Sequence, residues 1–460
     1  MTLQEYLMTL KDRTVAVLGI GVSNTPLLQL LLEQHIAVTA CDRRSRQELG
    51  ALAQELENAG ARLQLGEGYL EGLNQDVIFR TPGMRPDLPQ LEAARAQGSC
   101  ITSEMEVFFE VCPCSIIAVT GSDGKTTTTT IIAKLLEAAG ETVHVGGNIG
   151  TPLLAKAGQM RPEDRVVLEL SSFQLMTMER SPHIAVVTNL SPNHLDVHRD
   201  MEEYVSAKEN IFRHQSASDI AVFNADNAIT RQQSLRAPGE VRLFSGTAPV
   251  ERGVYLRGSE IVRVRDGVET VVLKTSDIKL PGFHNVENYM AAIAALEGLV
   301  DDAVIREFAR NFGGVEHRIE LVRTYGGVRY YNDSIASSPS RTIAGLRSFQ
   351  EKVILIAGGY DKHIPFDVLG PEITAHVKTL ILCGATAEKI RAAVEQAPDY
   401  RPDQPGILTA ATLHDAVELA REQAAEGDTV LLSPACASFD QFRNFMERGN
   451  AFKDQVNSWA

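Results

Sequence analysis

Residues 115–127 read Ser-Ile-Ile-Ala-Val-Thr-Gly-Ser-Asp-Gly-Lys-Thr-Thr, an apolar run that leads directly into a glycine loop with lysine and threonine. The run Ser115–Thr120 predicts a buried strand, and the spacing of Ile131–Ala139, which stops at Gly140, predicts a helix after the loop. Strand, glycine loop and helix in this order favour phosphate binding, because loop N–H groups and a helix N-terminus then face the anion. The stretch therefore predicts a parallel α/β fold with a phosphate site.

The loop G-x-x-G-K-T is shorter than the full Walker pattern, whose first glycine would fall at Val119. Lys125 is expected to neutralise phosphate charge and Thr126 to ligate Mg²⁺ through its hydroxyl. The competing interpretation, a merely polar and β-branched run through Thr130, does not explain the strand and glycines before it. The residues expected to hold the nucleotide phosphates are Gly121, Ser122, Asp123, Gly124, Lys125, Thr126 and Thr127.

A second glycine pattern opens the chain. A strand, a turn, a helix face and a second strand are predicted in succession at Thr14–Leu18, Gly19–Gly21, Leu27–Leu32 and Ile36–Ala40. Asn24 stands where the third glycine of G-x-G-x-x-G would be, although Asp42 lies about where a ribose-binding carboxylate belongs. On these residues alone, a nucleotide site and a tight structural turn are equal alternatives.

Further strands predict two more lobes. Arg165–Leu170 and Ile184–Asn189 read as buried strands, and the polar residues Glu169, Asn189 and His194 fall at their carboxyl ends, where open α/β sheets place their sites. A third segment begins near Val315. Its predicted strands are Val328–Tyr331, Val353–Ala357, Leu380–Cys383 and Val430–Leu432, with helical patterns between them.

Composition limits the class of protein. The chain has 460 residues with Lys+Arg 44 and Asp+Glu 59, hence a net charge of −15 that disfavours nucleic acid as a partner. Its six cysteines are scattered, and the single C-P-C pair lacks the spacing of a zinc or redox motif. The sequence shows neither a membrane-spanning run nor a cleavable leader, so we expect a cytoplasmic protein without stable membrane insertion.

The order of motifs resembles one family. They are TGSDGKT at 120–126, GGNIG at 146–150, LELSSFQL at 168–175, NLSPNHLDVH at 189–198, YVSAKENIF at 204–212, GFHNVEN at 282–288, EHRIE at 316–320, YNDSIASSP at 331–339 and LLSPACASFDQFRNFMERG at 431–449. Together they resemble the Mur ligases of peptidoglycan synthesis over nearly the whole chain. Single motifs such as GKT are common, whereas LELSSFQL followed by SPACASFDQF is highly specific.

The resemblance implies three α/β domains, expected at 1–105 (Rossmann-like, UDP-substrate-binding), 106–315 (central, P-loop ATPase-like) and 316–460 (Rossmann-like, amino-acid-binding). It also implies an ATP-dependent ligase that adds D-glutamate to UDP-N-acetylmuramoyl-L-alanine through an acyl phosphate, giving ADP and phosphate. Such a ligase would use two Mg²⁺ ions and act as a monomer in cell-wall precursor synthesis. The chemistry agrees, because amide formation from a carboxylate requires activation that a phosphate loop beside a metal site supplies.

The resemblance also implies roles for particular residues, carried over motif by motif. The catalytic residues would be Lys125, His194 and Lys208, and the metal ligands Thr126, Glu169, His194 and Lys208, the last as a carbamate, with Asp196 orienting His194. Further ATP contacts would be Asn288, Arg318 and Asp333. UDP-substrate contacts would be Val22, Ser23, Asp42, Arg43, Thr81, Gly83 and Asn148. The D-glutamate contacts would be Lys362, Ser438 and Phe445.

One position departs from the family pattern. Many of these ligases have a lysine where this chain has Ile335, so part of the charge compensation must come from elsewhere, for instance from His363. Several alternatives stay open from the residues alone: His198 instead of His194 at the metal, Lys208 as an ordinary surface lysine, and Phe445 as simple packing. Competing functions are a sister Mur or folylpolyglutamate-type ligase, a non-catalytic ATP sensor and an NAD-dependent oxidoreductase.

Overall fold

The computed structural model describes residues 1–192, 197–362, 364–402 and 404–459. Three separate β-sheets with helices around them confirm the α/β class predicted from the sequence. The chain divides into two compact units, one made of Met1–Thr275 with Glu287–Phe308 and the other of Ser276–Val286 with Ala309–Ala460. The first unit contains two of the sheets and the second unit contains the third. The domain boundaries after 105 and 315 remain a prediction.

The first sheet has five parallel strands in the order β3-β2-β1-β4-β5. Its strands are β1 Val15–Leu18, β2 Val38–Asp42, β3 Arg62–Leu65, β4 Val77–Arg80 and β5 Cys100–Thr102. Its helices are α1 Leu3–Thr9, α2 Asn24–Glu33, α3 Arg46–Leu49, α4 Ala51–Asn58, α5 Pro89–Ala96 and α6 Glu104–Val111. β2 begins two residues later than predicted because Ile36 N–H still bonds to Leu31 O of α2, at 3.1 Å.

The second sheet has nine strands in the order β14-β13-β12-β11-β10-β9-β6-β8-β7. They are β6 Ser115–Thr120, β7 Val143–Gly147, β8 Arg165–Glu169, β9 Ile184–Val187, β10 Ile220–Asn224, β11 Glu240–Ser245, β12 Gly253–Arg257, β13 Glu260–Arg265 and β14 Val268–Lys274. The strands β6 to β12 are parallel, whereas β13 and β14 pair antiparallel at the edge, an extension that the sequence analysis did not predict.

The second sheet is accompanied by six α-helices and two 3₁₀ helices. The α-helices are α7 Lys125–Ala138, α8 Ser172–Leu175, α9 Met201–Arg213, α10 Ala228–Ser234, α11 Phe283–Ala295 and α12 Asp302–Asn311. The 3₁₀ helices are Leu154–Gln159 and Thr275–Asp277. The helix predicted at Ile131–Ala139 in fact starts at Lys125, so the phosphate loop runs into its first turn without a spacer.

The third sheet has six strands in the order β15-β16-β20-β17-β18-β19, parallel except for the edge strand β15. They are β15 Glu320–Tyr325, β16 Val328–Asn332, β17 Val353–Ala357, β18 Val377–Leu382, β19 Gly406–Thr409 and β20 Thr429–Leu432. Its helices are α13 Pro339–Leu346, α14 Leu369–His376, α15 Ala387–Glu395, α16 Leu413–Gln423 and α17 Phe445–Ser458.

The central strands of this sheet are apolar on both faces. In β17, Leu355 belongs to one buried cluster while its neighbours Ile354 and Ile356 belong to the other. Successive side chains of a strand point to opposite faces, so a continuous apolar run requires helices on both sides. The polar residues are consequently confined to the strand ends. Among the described residues, no helix has both the length and the apolar character needed to cross a bilayer.

Candidate active site

The phosphate loop lies at the carboxyl edge of the second sheet, after β6, which pairs with β8 on one side and β9 on the other. Gly121 has φ +149°, and a Cβ there would come within 2.0 Å of Thr188 Oγ1. Gly124 has φ +78°, and its Cβ would come within 2.5 Å of Asn288 Oδ1. Both glycines are required because the loop is packed against side chains that leave no room for a Cβ.

Residues after β9 fix the shape of the loop. Asp123 N–H donates to Asn189 Oδ1 at 3.0 Å, and Thr188 Oγ1 donates to Asp123 O at 2.6 Å. Ser122 N–H donates to Asn189 O at 2.8 Å. Asn189 therefore holds the backbone of the loop, a role for this strand-end residue that the sequence did not specify.

Lys125 is folded back over the loop. Its Nζ donates to Gly121 O at 3.0 Å and to Ser122 O at 2.8 Å. As the first residue of α7, Lys125 also lies where the helix dipole is positive. The ammonium group and the helix end thus concentrate positive charge at the mouth of the loop, as the binding of nucleotide phosphates requires.

Glu169, the last residue of β8, is buried and accepts two hydrogen bonds. Thr126 Oγ1 donates to its Oε2 at 2.7 Å, and Asn148 Nδ2 donates to its Oε1 at 2.8 Å. The hydroxyl of the phosphate loop and a carboxylate therefore meet, and these are oxygen ligands of the kind that Mg²⁺ prefers. These residues fit a magnesium site. Asn148, which the family resemblance assigns to substrate binding, orients this carboxylate.

Lys208 on α9 is buried beside the loop, with 2% of its surface exposed. Its Nζ donates to Thr120 Oγ1 at 3.0 Å and to Gly121 O at 2.9 Å, and it lies 5.0 Å from the centre of the Tyr204 ring. Burial and, secondarily, the charge of Lys125 lower the pKa of Lys208 well below its ordinary value, against a weaker opposing effect of Glu169. Lys208 is therefore a buried side chain whose charged form is disfavoured, not a surface lysine.

The predicted metal ligand His194 and its neighbour Asp196 lie outside the described residues. His198, the alternative to His194, is buried: its Nε2 lies 2.9 Å from Ser172 Oγ, and its ring stacks on Phe173 with centroids 5.4 Å apart. These contacts give His198 a packing role. Across residues 1–192, 197–362, 364–402 and 404–459, no group of three or more His, Cys, Asp and Glu side chains could hold a metal ion.

Asn288 on α11 is brought to the same loop. Its Oδ1 accepts a hydrogen bond from Thr128 Oγ1 at 3.1 Å, and it fills the space that the missing Cβ of Gly124 leaves. Thr127, by contrast, is buried in the first turn of α7. Within the first unit, the sequence-predicted residues Lys125, Thr126, Glu169, Lys208 and Asn288 thus surround one loop.

At the carboxyl edge of the first sheet, Asp42 ends β2 and is buried. Its Oδ2 accepts from Ile20 N–H at 2.7 Å, and Arg44 donates from Nε and Nη2 to its carboxylate at 3.0 and 2.9 Å. Burial opposes ionisation of Asp42, but the Arg44 and Ile20 hydrogen bonds outweigh it and lower its pKa to about 2. Arg44, which the sequence analysis did not select, is therefore the partner of Asp42.

Asn24 explains the incomplete glycine fingerprint of this domain. Its side chain is buried, and Nδ2 donates to both Leu18 O and Gly19 O at 3.0 Å. The amide thereby closes the turn that a glycine would otherwise form. The residues predicted to contact the UDP-substrate around this turn lie at the surface or are partly buried, namely Val22, Ser23, Arg43, Thr81 and Gly83.

The second unit places another set of predicted residues along the carboxyl edge of the third sheet. Asp333 follows β16 and is buried, with Oδ2 accepting from Ser433 Oγ at 2.7 Å. Burial is the main reason that the pKa of Asp333 is raised to about 7, although Ser433 and Arg318 oppose the shift. Arg318 is flanked by two residues with positive φ, His317 at +62° and Ile319 at +44°. Residues other than glycine rarely adopt such angles, and those that do are often found at functional sites.

The three predicted D-glutamate residues also lie in the second unit. Lys362 is exposed in the loop after β17, and Ser438 is buried in the loop after β20. Phe445, at the start of α17, makes an edge-to-face contact with His317 at 5.9 Å between centroids. Since β17 and β20 are neighbours, their loops emerge side by side. His363, suggested to replace the lysine lost at Ile335, lies outside the described residues.

A buried arginine that the sequence analysis missed connects these loops. Arg448 on α17 donates from Nη2 to Ser334 O at 2.8 Å and to Cys436 O at 3.0 Å, and from Nη1 to Ala437 O at 3.1 Å. Burial lowers its pKa to about 10, so it remains charged at neutral pH. The only hint in the sequence was a charged residue in an otherwise apolar face of a helix. Arg448 brings a cation next to Ser334 and hence to Ile335.

Replacing Asp333 by asparagine is expected to remove a pH dependence of stability. A carboxyl whose pKa rises from 3.8 to about 7 on folding stabilises fully below the unfolded value, and that stability is lost as pH rises through 7. Between pH 5 and 8, we expect wild type to lose about 3 kcal/mol more unfolding free energy than Asp333→Asn. Urea unfolding followed by the single tryptophan, Trp459 in the core of this unit, measures it.

The control for this prediction is Asp399→Asn, an exposed carboxyl in the same unit. If wild type and Asp333→Asn had parallel pH profiles while Asp399→Asn also matched wild type, the raised pKa of Asp333 would be wrong.

Comparisons with known proteins agree with this geometry. The Mur ligase middle domain family matches residues 119–296, and the Mur ligase glutamate ligase domain family matches residues 317–436. The chain is 54% identical over 461 residues to the UDP-N-acetylmuramoylalanine–D-glutamate ligase of Acetivibrio thermocellus, covering 99% of this chain and 98% of the relative. It is 51% identical to the ligase of the same name from Clostridium kluyveri, with 98% of each chain covered.

Solved structures share the fold at lower sequence identity. A UDP-N-acetylmuramate–alanine ligase from Thermotoga maritima has a TM-score of 0.58 at 19% identity and covers 97% of this chain and 100% of its own. A UDP-N-acetylmuramoyl-L-alanyl-D-glutamate–2,6-diaminopimelate ligase has a TM-score of 0.56 at 19% identity, with 92% and 93% covered. With relatives above 50% identity over nearly the full length and both family domains matched, the chain belongs to the Mur ligase family.

Proposed function

We propose that the protein is an ATP-dependent ligase that joins D-glutamate to UDP-N-acetylmuramoyl-L-alanine, giving ADP and phosphate. The observation that carries this proposal is that four residues meet at the carboxyl edge of the second sheet: Lys125, Thr126, Glu169 and Lys208. The names of relatives that are 54% and 51% identical to this chain select D-glutamate among the amino acids that Mur ligases add. We further propose that the enzyme is a cytoplasmic monomer with three domains, 1–105, 106–315 and 316–460.

The chemistry begins with transfer of the γ-phosphoryl group of ATP to the alanyl carboxylate. The carboxylate oxygen forms the new P–O bond while the bond to the ADP leaving oxygen breaks. Lys125 and the N-terminus of α7 stabilise the charge on the phosphate oxygens throughout. Glu169 and Thr126 would hold Mg²⁺ at one of two proposed sites, and the ion would supply Lewis-acid neutralisation of these oxygens.

The amine of D-glutamate then attacks the acyl phosphate. A C–N bond forms, the tetrahedral intermediate expels phosphate with the C–O electron pair, and the amine loses a proton to solvent or to a nearby base. The positions of Lys362, Ser438 and Phe445 in neighbouring loops of the second unit support a role in holding the glutamate, and Arg448 adds a fixed positive charge to that set.

The function is tested by phosphate release from ATP and Mg²⁺ with UDP-N-acetylmuramoyl-L-alanine, with and without D-glutamate, beside L-glutamate, L-lysine and meso-diaminopimelate. We expect release only when the UDP-substrate and D-glutamate are both present. Release with L-lysine or meso-diaminopimelate but not with D-glutamate would make the protein a sister ligase. ATP binding without release for any amino acid would make it a binding protein.

We also propose that Lys208 is carbamylated. Among the described residues, Nζ of Lys208 donates to only two acceptors, Thr120 Oγ1 and Gly121 O, and burial favours the unprotonated form, which carries the lone pair that the reaction needs. That lone pair adds to the carbon of CO₂, a C=O electron pair moves onto oxygen, and the amine proton goes to solvent. The product is an anionic carbamate, which suits a site next to Glu169 when Mg²⁺ is present.

Lys208→Met is expected to lower ligation about 100-fold, since it removes the carbamate that is proposed as a metal ligand. In wild type we expect activity to fall in CO₂-free buffer and to return on addition of bicarbonate, and ¹³C-bicarbonate to give a carbamate signal by NMR. Lys11→Met, at an exposed lysine, is the control. Full wild-type activity without CO₂, together with no carbamate signal, would contradict carbamylation.

A further inference from the structure

The loop after β4 belongs to the first sheet and contacts segments next to the second sheet. It carries Thr81 and Gly83, two predicted UDP-substrate contacts, and leads through Arg85 and Asp87 into α5. The phosphate loop and Lys208 belong to the second sheet of the same compact unit. A substrate that binds with its nucleotide at the first sheet and its reacting carboxylate at the second requires the carboxyl edges of these two sheets to be held at a fixed distance and orientation.

Both terminal nitrogens of the Arg85 guanidinium bind α9 or the segment just before it. Nη2 donates to Glu203 Oε1 at 2.8 Å, and Nη1 donates to Glu203 Oε2 at 3.0 Å and to Val197 O at 2.6 Å. Nε and Nη2 also bind the Asp87 carboxylate of its own loop, at 2.8 and 2.9 Å. The side chains of Arg85 and Glu203 are 22% and 24% exposed, so this fork is protected from much of the solvent.

Glu203 connects Arg85 to the phosphate site. It lies in the first turn of α9, next to Tyr204 and five positions before Lys208. Tyr204 Oη lies 2.9 Å from Ser122 Oγ of the phosphate loop, and Lys208 Nζ donates to Gly121 O. The first two turns of α9 therefore link the Arg85 fork to the two groups of this helix that touch the phosphate loop.

A second contact, made by Arg80, also holds the loop after β4 against segments next to the second sheet. Arg80, the buried last residue of β4, donates from Nη1 to Met84 O at 2.7 Å and to Pro82 O at 3.2 Å, which shapes the loop. Its Nη2 donates to Thr177 Oγ1 at 2.8 Å, just beyond α8 and hence beyond Glu169. The loop is thus fixed at both of its ends to segments that carry residues of the phosphate site.

We propose that Arg85 is a positioning residue for ligation: through Glu203 and Val197 O it fixes the UDP-substrate loop to α9, so that a bound UDP-substrate presents its carboxylate to the phosphate loop. The inference rests on the proposed function. It assigns Arg85 no direct contact with substrate. Loss of the Arg85 side chain should therefore impair presentation of the acceptor carboxylate to the phosphate loop and leave nucleotide binding intact.

The test compares wild type with Arg85→Ala, Glu203→Gln and the double variant. We expect each single variant to lower kcat/KM for UDP-N-acetylmuramoyl-L-alanine about 10-fold to 100-fold. The dissociation constant of a non-hydrolysable ATP analogue, measured by calorimetry, should change by less than about twofold in each. The free-energy loss in the double variant should be smaller than the sum of the two single losses, because both single variants remove the Arg85–Glu203 interaction. Arg85→Lys, which keeps the charge without the fork, should recover only part of the loss.

Arg95→Ala is the matched control, because Arg95 forms an exposed ion pair with Glu92 on α5 of the same sheet. We expect it to behave as wild type. Equal losses of acceptor use and of analogue affinity in Arg85→Ala would indicate general destabilisation and overturn the inference, as would unchanged acceptor kinetics. Absence of any wild-type turnover would instead overturn the proposed function, and this inference with it.

Discussion

Lys125→Ala is expected to lower phosphate release by about 1000-fold or more, since it removes the ammonium group from the mouth of the phosphate loop. In the structure this ammonium is held by Gly121 O and Ser122 O, within the loop that would receive the phosphates. The transferring phosphoryl group and the substrate carboxylate are both anionic, so their approach depends on fixed positive charge. Single-turnover phosphate release at saturating ATP measures the effect on the chemical step.

The same helix offers the control for this prediction. Lys134 is also on α7, but it is exposed and paired with Glu137 at 2.7 Å. Lys134→Ala is expected to leave phosphate release unchanged, because exposed ion pairs contribute little. Melting temperatures of both variants should stay close to that of wild type. A Lys125→Ala enzyme that retained a tenth or more of wild-type phosphate release would refute the role assigned to Lys125.

Glu169→Gln is expected to lower ligation about 100-fold and to raise the Mg²⁺ concentration for half-maximal activity at least about tenfold. The glutamate accepts hydrogen bonds at both oxygens, from Thr126 Oγ1 and Asn148 Nδ2. A glutamine of the same shape must present its NH₂ group to one of these donors, and it also lacks the negative charge that a divalent cation requires. Titration of activity with Mg²⁺ separates the two effects.

Glu163→Gln is the matched control, because Glu163 is exposed two positions before β8. It should show wild-type activity and wild-type Mg²⁺ dependence. If Glu169→Gln lost activity without any change in Mg²⁺ requirement, the carboxylate would serve only to orient Thr126 and Asn148, and the assignment of Glu169 to the metal would be wrong.

Much of the fold could be predicted from local patterns. The strand Val353–Ala357 was predicted with its observed bounds, because five consecutive apolar residues have few alternatives in an α/β protein. The antiparallel extension β13–β14 was not predicted, although Val262–Arg265 alternates between apolar and polar residues; β14 is exposed over its first four residues and its sequence does not alternate regularly. Asp42 was expected after β2 but ends it, because tertiary pairing with β3 extends the strand to that residue.

The candidate site shows the same division. Lys125, Thr126 and Glu169 were selected because their positions next to strands and glycines have a chemical reason that is local in sequence. Arg44, Arg85 and Arg448 were missed, although each makes several of the hydrogen bonds described above. From sequence alone, an arginine in a loop or on a helix is interpreted as a solvent-exposed charge, because its partners are not known. Here those partners are as far as 118 positions away in the chain.

By itself the sequence determined the class of fold, the phosphate loop, and the family to which the chain belongs, because each of these depends on short motifs and on their order along the chain. Only the tertiary structure decided that Lys208 is buried with a lowered pKa, that Asn189 holds the loop, and that Asn24 closes the turn of the first domain. Burial and hydrogen bonding set these properties, and both depend on which distant segments the sheets bring to a common edge.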